Sequence, residues 1–151
     1  MTNRGNGFRM FLLMKQISFR LKPGQLLKET IENLAREKQI GAGVLLSVVG
    51  GLGKTVLRMV GSDSNNQTVK TWDGPFEIVA GTGTICIDGC HIHISVSDKD
   101  GNVIGGHLKD GCVVKYTAEV IIGIFDEVTF ARKPDSETGF DELIVSENAA
   151  N

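Results

Sequence analysis

The segment HIHISVSDKDGNVIGGH, residues 91–107, contains all three histidines of the chain. Side chains alternate along a strand, so His91 and His93 point the same way. Asp98-Lys99-Asp100-Gly101-Asn102 is a turn signal, and Val103 to Leu108 is the returning strand. If Ser97 pairs with Val103, His93 stands directly opposite His107 on the same face, about 5 Å away. The hairpin then gathers three imidazoles at one place.

Three convergent neutral imidazoles suit Zn²⁺ or another divalent metal. Zinc takes histidine nitrogens at about 2.0–2.1 Å, and a three-histidine site leaves a fourth position for water or substrate. Without an ion the rings repel on protonation and lower one another's pKa. The competing reading is three polar strand residues that face solvent or hydrogen-bond locally. Gly105-Gly106, just before His107, suit a bulge or a close approach by a ligand or another subunit. A kink at a sheet edge fits them equally well.

Working outward, KQISFRL (15–21) alternates as a strand. Lys22-Pro23-Gly24 breaks it. From Gln25 to Lys38, Leu27, Ile31 and Leu34 recur at helical spacing, and Gly41 and Gly43 end the helix. VLLSVV (44–49), TVLRMV (55–60), QTVKTW (67–72), FEIVAGTGTICI (76–87), CVVKYTAEVII (112–122) and EVTFAR (127–132) read as further strands. Turn signals fall at 62–66, at Asp73-Gly74-Pro75 and at Asp88-Gly89. One helix with about eight strands predicts an α+β fold, a mainly antiparallel sheet or partial barrel with the helix packed on it. Residues 1–13 read as a loose arm and 14–143 as the domain. The acidic, polar stretch after Pro134 reads as a tail that frays through 144–151.

At 151 residues the chain suits one domain with a real core. Its net charge is −2 and its pI about 5.9, whereas a freestanding nucleic-acid binder carries a basic excess. Cys86, Cys90 and Cys112 are odd in number and form no CxxC pair, which predicts free thiols in a reducing compartment. MFLLM (10–14) is too short to span a membrane. The expected location is cytoplasmic. GGLGKT (50–55) mimics a phosphate loop, but the required earlier glycine position holds Val48, and a strand follows rather than a helix. A tight turn explains it better.

LKPGQLLKETIENLAREKQI (21–40), GPFEIVAGTGTI (74–85), the long segment from His91 to Ile122 and the late RKPDSETGF (132–140) together resemble the plants-and-prokaryotes conserved (PPC) domain. In the long segment the HxH, DxDG, GGH and YTAEV elements follow one another at that family's spacing. The resemblance implies a PPC-like α+β fold assembled as a homotrimer. It also implies zinc or a similar ion on His91, His93 and His107, and a DNA-binding or regulatory role of unknown target. Plant members carry an AT-hook with an Arg-Gly-Arg-Pro core that enters the minor groove. Here NRGNGFR (3–9) has no such core. GPFEIV (74–79) matches the plant GRFEIL partner-contact segment except that Pro75 replaces Arg. The alternative function is a zinc-dependent enzyme of the hydrolase or lyase type using a metal-bound water, with Glu119 or Asp98 as the assisting carboxylate. A third reading gives the ion a purely structural role.

Overall fold

The structure is a computed structural model that describes residues 14–149 except 62 and 64. The expected N-terminal arm lies outside the described residues. The elements are β1 (Lys15–Leu21), α1 (Leu27–Glu37), β2 (Gly43–Arg58), β3 (Val69–Cys86), β4 (Gly89–Ser97), β5 (Val103–Leu108), β6 (Val113–Ile124), β7 (Val128–Pro134) and β8 (Asp141–Glu147). Six strands form one antiparallel sheet in the order β1-β6-β2-β3-β4-β5, and a further pairing of β2 with β5 closes β2 to β5 into a small barrel. This is the expected α+β architecture, with closure where the partial barrel was foreseen.

The helix forms where apolar residues recur at i and i+4. Leu27, Ile31 and Ala35 are buried on its inner face, with Glu29 in the first turn and Arg36 in the last, as the helix dipole favours. That face joins one core with Leu21, Leu52, Ile85, Ile92, Leu108 and Ile122. Burying a side chain of this size stabilises the fold by about 1.5–3 kcal/mol.

Two expected turns are strand interior instead. GGLGKT lies within β2, and Asp73-Gly74-Pro75 within β3. The two segments face each other: Leu52 pairs with Phe76 and Lys54 with Asp73, so two residues oppose the single Gly53 in a β-bulge. Pro75 is tolerated because β4 ends at Ser97, opposite Glu77, and leaves that side of β3 an open edge. Gly43–Arg58 and Val69–Cys86 are therefore two long bent strands where four short ones were expected.

The stretch after Pro134 does not fray at once. Asp141–Glu147 pairs with β7 from Pro134↔Asp141 to Val128↔Glu147. Asp135 Oδ1 accepts the amides of Glu137 and Thr138 and so fixes the connecting loop. The Phe130 amide donates to the Gly41 carbonyl, which ties the hairpin to the domain. Most of β8 is exposed, so its acidic composition reads as tail even though the ladder is formed.

Candidate metal centre

The β4–β5 ladder runs unshifted from Ser97↔Val103 to His93↔His107. Asp98 fixes this register: its Oδ1 accepts the Asp100 and Asn102 amides, both at 2.9 Å. Ile92, Ile94 and Val96 point into the core, so the alternate residues His91 and His93 face outward. The three ring centroids are 4.8–5.5 Å apart. His91 Nε2 lies 3.2 Å from His93 Nε2. One ligand nitrogen from each histidine falls within 4.8 Å of the others.

Gly105-Gly106 make neither a bulge nor an edge kink. Gly105 sits close against β4, and Gly106 lets β2 approach: a Cβ on Gly106 would stand 2.8 Å from the Arg58 carbonyl oxygen. This contact closes the barrel and pairs Arg58 with His107. One outward row therefore runs Thr82, His93, His107, Arg58 across β3, β4, β5 and β2. Thr84 stands opposite His91 in the next row.

The β7–β8 hairpin covers these rows. Arg132 donates to the Thr84 hydroxyl, and its amide donates to Asp88. The Arg58 guanidinium lies over the Phe140 ring, 4.5 Å from its centroid. A cleft of about 280 Å³ between barrel and hairpin is lined by His91, His107, Arg58, Arg132, Phe140 and Glu142, among others. A second cleft of about 550 Å³ opens on the other side of His93 and His107.

The residues present fit a divalent ion. A tetrahedral ion with bonds of about 2.05 Å holds its nitrogens about 3.3 Å apart, close to the His91–His93 separation. His107 Nδ1 is buried without a hydrogen-bond partner among the described residues. Burial, then the Arg58 charge, pushes His107 down to about 3. Burial, then His93 and Arg132, lowers His91. Both rings are neutral at pH 7, the state a metal ligand requires.

These shifts fix the sign of a pH effect in the metal-free protein. Between about pH 6.5 and 3 the unfolded chain protonates His107 and the folded chain does not, so stability falls as pH drops through that window. The ring is only half-buried, so screening reduces the expected loss to about 1–2 kcal/mol. Urea melts of chelated protein at pH 7.5 and 4.5 should show this loss, and His107→Gln should shrink it. Equal slopes in both proteins would reject it.

The cysteines stand apart from ligation. All three are free. Burial, then Glu32, pushes Cys90 up to about 12, and burial pushes Cys112 up to about 11. Cys90 Sγ donates to Glu32, while Cys112 Sγ packs on the Val56 backbone. The two carboxylates expected to assist are also misplaced. Glu119 is exposed on β6, which pairs with β1 and β2 rather than β4 or β5. Asp98 is committed to its turn. Sequence reading missed Arg58, Arg132, Phe140 and Glu142.

Fold and site define a class: an antiparallel β-protein, with one helix among the described residues and a three-histidine cluster on the outside of a small closed barrel. The sequence model of the Plants and Prokaryotes Conserved (PCC) domain matches residues 9–126, and the chain belongs to that family. It is 39% identical over 130 residues, 86% of its length, to the bifunctional protein GlmU of Synechococcus sp. (strain JA-2-3B'a(2-13)), and it spans only 20% of that protein. A hypothetical protein from Salmonella cholerae-suis superposes with TM-score 0.83 at 31% identity, covering 91% of this chain and 97% of that one. A metal-containing protein from Archaeoglobus fulgidus gives TM-score 0.76 at 27% identity, covering 93% and 99%.

Proposed function

We propose that this chain is a homotrimeric metalloprotein that holds one divalent ion, zinc by donor type, on His91, His93 and His107. It would act on a small ligand in the adjoining cleft as a zinc-dependent enzyme of the hydrolase or lyase type. The observation that carries this is the convergence of three imidazole nitrogens within 4.8 Å at the wall of a built cleft. The metal in the Archaeoglobus relative supports it.

An ion held there supplies Lewis acidity toward a carbonyl, phosphoryl or water oxygen. The protein's own groups do the rest. The β7–β8 hairpin walls the cleft and restricts water. Of the cleft's carboxylates, Glu32, Asp88 and Glu142 are paired or hydrogen-bonded, which leaves Asp141 as the one to accept a proton. Trimer formation is supported by exposed Leu46 and Val49 on β2, Val79 on β3 and Tyr116 on β6. These apolar groups sit on adjacent strands, a pattern that marks interaction surfaces. Among the described residues no helix is long and apolar enough to cross a membrane.

A DNA-binding or regulatory role is the second reading, supported by family membership. The net charge of −2 weighs against direct contact with DNA. Two assays on zinc-loaded protein separate the readings. Hydrolysis or elimination of a small ester, phosphoester or hydroxy acid, lost in His93→Ala, is the expected result. Gel shifts on random and AT-rich duplexes should show no retardation at micromolar protein. Retardation without any metal-dependent turnover would reverse the choice.

A further inference from the structure

We propose that Arg58 and Arg132 form an oxyanion-binding wall beside the three histidines, so that the ligand of this site is a small carboxylate or phosphate. The inference rests on the metal-centre reading above and adds the substrate class. Both guanidinium groups are brought to the site by pairings of specific residues. Arg58 stands opposite His107 across the β2–β5 closure. Arg132 is anchored to the hydroxyl of Thr84, which itself stands opposite His91. The two arginines therefore border the histidine rows from two sides.

Neither guanidinium has an acidic partner within ion-pair distance among the described residues. Arg58 meets only the face of Phe140, and Arg132 meets a neutral hydroxyl. A half-buried charge without a counter-charge is costly to keep, and an arginine fork matches carboxylate and phosphate oxygens in a bidentate way. The cleft also contains carboxylates, but most of them are engaged elsewhere. Glu32 pairs with Lys28 at 2.8 Å, Asp88 accepts the Arg132 amide, and Glu142 accepts the Thr138 hydroxyl at 2.9 Å. Asp141, exposed at the start of β8, is the remaining carboxylate of the cleft, and it forms no ion pair with either arginine among the described residues. Two guanidinium groups and a divalent ion would concentrate positive charge in a chain whose net charge is −2. Such a pocket selects an anion. At about 280 Å³ the cleft falls just below the range for drug-sized ligands, which limits the anion to a few heavy atoms beyond its acid group.

Cobalt(II) as a spectroscopic substitute for zinc tests this. Cobalt-loaded protein is titrated with inorganic phosphate and, separately, with glycolate, following the visible bands of the ion. Saturable band changes are expected. In Arg58→Gln and in Arg132→Gln the half-saturation concentration should rise at least about 10-fold, the loss of one charge-assisted bond. Cobalt stoichiometry should not change. Arg58→Lys, which keeps the charge and loses the fork, should recover part of the loss. Tighter glycolate binding assigns a carboxylate ligand, and tighter phosphate binding assigns a phosphate. Equal half-saturation in wild type and both glutamine variants would overturn the proposal. If cobalt does not bind, the metal reading fails by itself, and calorimetry of the metal-free chain with the same two anions decides the anion site: arginine-dependent uptake sustains it, and none overturns it.

Discussion

Native mass spectrometry of untagged protein should show three chains of 16.3 kDa with close to one divalent ion per chain, and His91→Ala should carry close to none. The geometry makes the effect large. His91 and His93 chelate from one strand with nitrogens 3.2 Å apart, and His107 completes the set from the next strand. Removing any one leaves two ligands on a solvent-accessible face. Loss of a group that merely orients a ligand costs about 10–100-fold in metal affinity, so loss of a ligand should exceed about 100-fold. His93→Ala and His107→Ala should behave alike. The same titration measures how far the ion is structural. At free metal 1,000-fold above its Kd, binding adds about 4 kcal/mol to stability, and a chelator should remove that in wild type but not in His91→Ala. A wild-type chain that stays metal-free after incubation with zinc would sink the metal centre. The rings would then be two half-buried strand residues, His91 and His107, beside an exposed one, His93, and nothing more.

The hairpin was legible because its information is local. Strand alternation fixes which way His91 and His93 point, and the Asp98–Asn102 turn fixes the register that brings His107 across. The arginines were not legible because nothing local marks them. Arg58 reaches the site only through barrel closure, 49 residues before its partner His107, and Arg132 only because β7 lies over β3. RKPDSETGF holds Arg132 and Phe140, yet its composition reads as an exposed tail. The misread turns have a similar cause. A Gly-rich or Asp-Gly-Pro stretch marks a turn or a bulge equally well, and the partner strand decides between them. Here Gly53 and Gly74-Pro75 face each other, so both segments became one bulge.

Gly83→Ala should be among the most damaging small substitutions in the chain, and it should cost both fold and site. Gly83 pairs with Ile92, between the pairs Thr82↔His93 and Thr84↔His91. A Cβ there would stand 2.1 Å from the His91 carbonyl oxygen and 2.6 Å from the Ile92 Cα. Both are backbone atoms, so no rotamer change relieves the clash, and β4 must move away from β3. Ile92 is only 1% exposed, and its shift would loosen the core beneath the histidines. Overpacking of this kind costs about 3 kcal/mol, or a Tm lowered by roughly 6–12 °C in a domain of this size. β5 is held from its other side by β2, so a displaced β4 also carries His91 and His93 away from His107. Metal affinity should fall although no ligand is altered. Gly53→Ala provides the contrast: its Cβ would meet the Lys115 Cδ at 3.3 Å, and that flexible chain moves aside. Melts of both variants with and without chelator decide the matter. If Gly83→Ala melts within a degree of wild type and keeps its ion, the close β3–β4 approach does not hold the site.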